Sequence, residues 1–410
     1  MKLKMKRLNQ WVIPFFATLM LVLLAACGGA STPANTPPSS GEQDQTADGE
    51  AGTEVVTIGF SGPLSGGAAF YGKNGLSGLE MAVEEINNAG GIEVGGKKVT
   101  FKIEALDDKY QPSETATNAK RLVQEFNAPV VFIPHSGGIM AVQQFNEQDQ
   151  FIIGAYTSEP KVTETGNRLT MRIPPKYDGY IEPFIQYLMG RFGNKVALVP
   201  GTHAYAKDWT ELFRPAWEAA GGEVVAENPM DYTTETDFTS GVSNALSKNP
   251  DALFVGGPSE PTALVIKTAR EQGFKGGFAV MDQAKLEEMA AVLGGYELLE
   301  GAIGTLPLIM SDAPGVAGFV EAYNSKYNKN PGSEAGLHYM AMHIVAKAME
   351  AAGTTTDVQA IHAHIQTAID NLDDKHRLYY ITGIDDAGGL VHDVRIAAVE
   401  NGEVVAIPVK

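Results

Sequence analysis

Three short stretches carry side chains suited to holding a small polar molecule. Each stands between an apolar, strand-like run and a helix-like run. Gly59-Phe60-Ser61-Gly62-Pro63-Leu64-Ser65-Gly66-Gly67-Ala68-Ala69-Phe70-Tyr71-Gly72 follows the β-branched run Val55-Val56-Thr57-Ile58. Pro134-His135-Ser136-Gly137-Gly138 and Gly154-Ala155-Tyr156-Thr157-Ser158-Glu159 follow two further runs. Hydroxyls and free backbone N–H groups at a helix start are donors for a carboxylate. In open α/β sheets ligands bind beyond the carboxyl ends of the strands, near such helix starts.

Reaction chemistry is much harder to find. No two glycines sit two apart, so a dinucleotide fingerprint is absent, and no His is followed by Glu. Gly59-Phe60-Ser61-Gly62-Pro63 begins like a nucleophile elbow but has Pro where Gly is required. His362 and His364, two apart on a helix, point to different faces. His135 reads equally as a satisfied core histidine or a neighbour of a ligand, and His203 as a surface residue. No enzyme activity, cofactor or metal is expected. With 31 basic and 49 acidic side chains and a net charge of −18, the surface repels phosphate backbones, which argues against nucleic acid as a partner. A single cysteine excludes an intramolecular disulfide and a thiol redox pair.

The elements that must position those loops alternate. Leu76, Leu79, Val83 and Ile86 repeat at helical spacing and are closed by Gly90-Gly91. Val99, Phe101 and Ile103 alternate with polar residues as a strand, Pro112 opens a helix, and 129–134 and 151–155 read as strands. The βα order then restarts at Lys195 and runs to Thr305, with strands at 195–200, 223–227, 252–256, 277–282 and 300–305. This order predicts parallel sheets with helices on both faces. Three helical stripes follow between Val316 and Ile369. The chain ends in a hairpin turned by Asn401-Gly402. A chain of 410 residues is long enough for two such units.

The first 53 residues stand apart from these units. Lys2, Lys4, Lys6 and Arg7 precede an uncharged apolar run, Trp11 to Ala26, that is short for a bilayer span and fits a secretory signal. Residues 28–53 contain no Leu, Ile, Val, Phe, Met, Trp or Tyr and read as a flexible tether. Leu24-Ala25-Ala26-Cys27 resembles the lipobox of bacterial lipoproteins, which implies cleavage after residue 26, acylation of Cys27 and a lipid anchor on the outer face of the cell membrane.

The stretch VTIGFSGPLSGGAAFYGKNGLSGLEMAVEEINNAGGI, with KIEALDDKYQPSETATNAKRLV after it, resembles the leucine/isoleucine/valine-binding proteins. These are extracytoplasmic receptors of ABC importers with the type I periplasmic-binding fold. The resemblance implies two doubly wound parallel-sheet lobes joined by a multi-strand hinge. The implied first lobe takes in 54–173 and 306–380, and the second takes in 174–305 and 381–410. An amino acid held between them would pass to ABC permease subunits. Carried over position by position, the resemblance implies that Ser136 and Thr157 hold the ligand's carboxylate and Asp282 its ammonium. Tyr71, Tyr156 and Tyr205 would frame the cleft, with Gly137 and Ala155 beside the hydroxyls. The sequence departs from the family at several of these positions. Gly137-Gly138 replace a hydroxyl-rich run, Ala206 follows Tyr205 where Gly is usual, and Asp282 is shorter than the usual Glu. Pro258-Ser259-Glu260 stand where an aromatic is frequent, which opens a route for Glu260 into the cleft. Alternative ligands are an amide, urea or an aromatic carboxylate, and an alternative role is the sensing module of a signalling system.

Overall fold

A computed structural model describes residues 52–409; the leader, Cys27 and nearly all of the tether lie outside the described residues. Two main sheets organise the chain. The first contains β1 (Glu54–Gly62), β2 (Ile92–Val94), β3 (Lys97–Asp107), β4 (Val130–Ile133), β5 (Ile152–Ala155) and β6 (Thr170–Arg172), in the order β2-β3-β1-β4-β5-β6. All its pairings are parallel except the short β2–β3 edge. The second contains β7 (Lys195–Pro200), β8 (Glu223–Glu227), β9 (Ala252–Gly256), β10 (Gly277–Val280) and β11 (Ala302–Thr305) in parallel pairings. Burial on both faces explains why β4 reads Val-Val-Phe-Ile with no polar alternation, and β9 Ala-Leu-Phe-Val-Gly.

Helices cover both faces of each sheet. In the helix Ala69–Asn88, Leu79, Val83 and Ile86 face the core. It stops at Gly90 and Gly91, whose φ values of 94° and 83° favour glycine. Gly78 allows this helix to press against the long helix Ser333–Ala352, because a Cβ there would stand 2.0 Å from the Ala335 carbonyl oxygen. The helix Asp178–Arg191 was not anticipated, because Pro183 inside it reads as a breaker. Tyr180, Ile181, Phe184, Ile185 and Leu188 nonetheless bury one face of it in the second lobe's core.

The chain passes between the lobes three times. It leaves β6 through Ile173–Tyr177, returns from β11 through Leu306–Leu308, and leaves again near Asp393–Arg395. The last passage falls later than the expected boundary at 380. The ribbon β12 (Ile381–Ile384) and β13 (Leu390–His392) stays with the first lobe. Ile381 and Leu390 belong to that lobe's core, and Arg172 N–H donates to the Gly388 carbonyl at 2.9 Å. Only β14 (Ile396–Glu400) and β15 (Glu403–Ile407) join the second sheet, antiparallel at its edge. Among the described residues no helix is long and apolar enough to cross a membrane.

Candidate ligand-binding site

The parallel strands deliver their C-terminal ends to the space between the lobes. Ser136 opens the helix Ser136–Val142 just past β4, and Thr157 follows β5. Because β4 and β5 are neighbours in register, the two hydroxyls meet at 2.7 Å. Asp282 lies two residues past β10 on the opposite lobe. One cavity of about 20 Å³ brings together Tyr71, Tyr156, Ser136, Thr157, Tyr205 and Asp282. These are six of the eight ligand positions expected from the sequence.

The other two stand further out. Gly137 lines the outer cleft next to Ser136, together with His203 and Thr202. Ala155 ends β5 and packs into the core behind the site, so it shapes the strand end and does not line the cavity. Glu260 is exposed in the first turn of the helix Ser259–Glu271 and lines none of the cleft cavities. His135 is a buried histidine whose ring nitrogens both have partners, and it lines the same cavity as Ser136 and Thr157. Its Nδ1 accepts from Gly138 N–H at 3.0 Å, which leaves Nε2 facing Asp108 at 3.0 Å, and its ring stacks on the cavity-lining Tyr110 at 4.6 Å.

Asp282 is the focus of the second lobe's polar groups. Trp209 Nε1–H donates to its carboxylate at 3.1 Å, and the Tyr205 hydroxyl donates to the same oxygen. Burial pushes its pKa up to about 6, against the opposing pull of Lys285. Glu159, buried beside the hydroxyl pair with one oxygen unpartnered, is also pushed up by burial, to about 7. Ionised acids here are costly until a cation faces them.

Several groups that the sequence did not single out complete the site. Ser158 and Tyr205 share a hydrogen bond of 2.7 Å across the lobes, and Gln283 donates to the Tyr110 hydroxyl at 2.5 Å. Lys285 reaches from the second lobe to Glu334 on the first. A second cavity of about 60 Å³ shares Tyr156, Pro174, Asp282 and Lys285 with the first and runs between the hinge segments, past Leu306 and Leu337. The space next to Asp282 is thus walled by Pro174, Leu306, Leu308 and Leu337 together with the charged Lys285, Asp393 and Arg395.

Comparison with known proteins agrees with this architecture. The model of the family described as periplasmic binding protein matches residues 55–403. The chain belongs to this family. Among similar periplasmic binding proteins, an amino acid binding protein of Pseudomonas aeruginosa is 25% identical over 312 residues, covering 74% of this chain and 81% of the relative. The Leu/Ile/Val-binding protein BraC3 of Rhizobium johnstonii is 27% identical over 327 residues, covering 75% and 82%. The crystal structure of the leucine binding protein LivK of Thermotoga maritima superposes with a TM-score of 0.72 at 24% identity, over 86% of this chain and 98% of that one. The branched-chain amino acid transporter substrate binding protein LivJ of Streptococcus pneumoniae, solved with isoleucine, gives 0.72 at 23% identity over 86% and 99%. Family membership carries an extracytoplasmic location.

Proposed function

We propose that this periplasmic binding protein captures an amino acid, branched-chain or related, between its lobes and delivers it to an ABC importer. The observation that carries this reading is the placement of Ser136 and Thr157 on one lobe and Asp282 on the other, in one buried cavity. A zwitterion needs donors for its carboxylate and an acceptor for its ammonium. In this reading the first lobe's hydroxyls serve the one and the second lobe's Asp282 the other, so the ligand bridges the lobes. Binding therefore favours the closed arrangement of the lobes. The names of the amino acid-binding relatives support the same ligand class.

In this reading Tyr71, Tyr156 and Tyr205 wall the headgroup, and the hinge-side cavity takes the side chain. The lobes move as rigid bodies about the three crossing segments, and a lipid on Cys27 holds the receptor beside the permease. The direct test is mass spectrometry of the molecule released by denaturing the purified protein, followed by calorimetry with that compound. A released amino acid that rebinds at one per chain supports the reading. An amide, urea or a simple aromatic acid in its place removes the ammonium and overturns it.

A further inference from the structure

Away from the cleft, three metal-ligand side chains from distant parts of the chain meet in the first lobe. Glu85 comes from the helix Ala69–Asn88, His343 from the helix Ser333–Ala352, and His376 from the short turn Asp374–His376. His376 Nε2 lies 3.1 Å from Glu85 Oε1, and His343 Nε2 lies 3.8 Å from Glu85 Oε2. The two imidazoles stack with centroids 3.5 Å apart and planes at 14°, so their in-plane lone pairs run nearly parallel, and joint ligation of one ion requires one ring to turn out of the stack. The ligand-type atoms all lie within 4.8 Å of one another. A cavity of about 180 Å³ beside them is lined by all three residues and by Glu350 and Asp373.

Packing alone does not account for this cluster. His343 and His376 are 5% and 6% exposed, yet His343 Nε2 and His376 Nδ1 have no hydrogen-bond partner. A buried polar atom without a partner calls for an explanation such as a water or an ion. Other histidine nitrogens share this state, among them His203 Nε2 and His338 Nε2, and what sets this pair apart is the convergence of three ligand-type side chains. Zinc–nitrogen bonds of about 2.0–2.1 Å and zinc–oxygen bonds of about 2.0–2.2 Å set ligand atoms roughly 3.4 Å apart around a tetrahedral ion. The separations of 3.1 and 3.8 Å bracket that spacing. Asp373 Oδ2 lies 3.8 Å from His376 Nδ1, within a small adjustment of the carboxylate–histidine support that orients a ligating ring.

We propose that Glu85, His343 and His376 form a zinc site, with the fourth position open to the neighbouring cavity. Two imidazoles and a carboxylate suit zinc among the divalent ions. Lys375 Nζ sits on Glu85 Oε1 at 2.7 Å and competes for the same oxygen. Its side chain is 68% exposed, so it has room to swing into water when the ion enters. The Tyr339 hydroxyl donates to the other oxygen and orients the carboxylate. A bound ion ties the first helix, the long helix and the 374–376 turn together, so it stabilises the lobe without touching the ligand cleft.

Calorimetric titration of the chelator-treated protein with zinc chloride tests this. Wild type takes up one zinc per chain and melts at a higher temperature with it. His343→Ala and His376→Ala each bind at least about 30-fold more weakly, above the roughly 10-fold minimum typical of losing an outer partner. Lys375→Met binds more tightly, a result that a merely structural ion-pair cluster does not give. Should the histidine variants unfold, cobalt added to wild type gives the intense visible bands of tetrahedral coordination, and Lys375→Met strengthens them. Absence of one-to-one zinc uptake by wild type, unchanged affinity in folded histidine variants, or an octahedral cobalt spectrum overturns the proposal.

Discussion

Lys285 of the second lobe and Glu334 of the first form an ion pair at 3.1 Å, with their side chains only 4% and 0% exposed. Desolvation works against the Lys285 charge, but the carboxylates of Glu334, Asp282 and Glu288 outweigh it and hold the ammonium protonated. The pair therefore acts as a charged link across the cleft. Breaking such a pair from one side costs about 3–5 kcal/mol, because a charge is left buried. Here opening the lobes offers that charge water. Glu334→Gln is expected to favour the open arrangement, with a larger radius of gyration in small-angle scattering and weaker binding of the amino acid released from the purified protein. The double change Lys285→Met with Glu334→Leu restores closure. An unchanged radius and affinity in Glu334→Gln would remove the link from the account.

The two ends of the proposed headgroup site should respond unequally. Asp282 is the acceptor on its lobe, fed by Trp209 and Tyr205, whereas Ser136 shares its task with Thr157 at 2.7 Å and with nearby N–H groups. Hydrogen bonds to charged groups contribute about 1.5–3 kcal/mol each. Asp282→Ala is expected to weaken amino-acid binding at least ~30-fold, about 2 kcal/mol, and Ser136→Ala by less. Calorimetry on both variants decides it, and an Asp282→Ala protein that binds as wild type would mean that no ammonium sits there.

The sequence made the parallel-sheet architecture legible, because β4 and β9 are short continuous apolar runs bounded by proline or glycine and β1 opens on the β-branched run Val55-Val56-Thr57-Ile58. The loops after β4 and β5 stood out for their hydroxyls. What stayed illegible was set by long-range packing. Glu334 stands in the first turn of the helix Ser333–Ala352, where an acid reads simply as a charge suited to a helix start, and only the approach of the lobes gives it Lys285 as a partner. The β12–β13 ribbon reads as the start of the terminal strands, but two buried side chains, Ile381 and Leu390, keep it on the first lobe. Glu85, His343 and His376 have no local spacing to betray them.

Binding should weaken in acid. Burial raises the Asp282 pKa from its ordinary 3.8 to about 6, so the fold favours its neutral form. Its contribution to stability is full below about 3.8 and is lost as pH rises through about 6. An ammonium ligand reverses that preference by pairing with the carboxylate. The ligand-free protein is thus expected to lose melting temperature on going from about pH 4 to about pH 6, while the increment from the amino acid released from the purified protein grows over the same window. Asp282→Asn removes the part of this slope that lies between about 3.8 and about 6 and keeps what Glu159 contributes between about 4.5 and about 7. An increment from the released amino acid that is flat with pH in wild type would contradict the pairing.

The contact between the helices Ala69–Asn88 and Ser333–Ala352 leaves no space for a side chain at Gly78. A methyl group there would stand 2.0 Å from the Ala335 carbonyl oxygen, which is backbone and cannot rotate away. Overpacking of this kind costs about 1–3 kcal/mol. Gly78→Ala is expected to lower the denaturation midpoint accordingly. Gly318→Ala, on the helix Val316–Tyr327 with nothing within 4 Å of the added carbon, should be neutral or slightly stabilising. Equal midpoints for the two variants in chemical denaturation would show that the helices slide apart freely.

Cys27 is the only cysteine, and it follows Leu24-Ala25-Ala26 at the end of the apolar leader. Each buried CH₂ of an acyl chain contributes about 0.8 kcal/mol, and a single myristoyl-length chain gives only marginal, reversible anchoring. A lipoprotein cysteine carrying several chains therefore holds the protein firmly, whereas an unlipidated chain has only its acidic surface, which anionic headgroups repel. Loss of residues 1–26 leaves 27 basic against 49 acidic residues in the mature chain, which sharpens that contrast. Cys27→Ala is expected to give either an unprocessed precursor or a protein released from the membrane fraction. The ligand affinity of the released protein should be unchanged, because the tether carries no residue of the cleft. Fractionation of cells expressing the two forms, with mass measurement of the mature N-terminus, checks this. A native protein recovered in the soluble fraction without detergent, or one whose mass shows a free thiol at Cys27, would leave the permease without a tethered receptor.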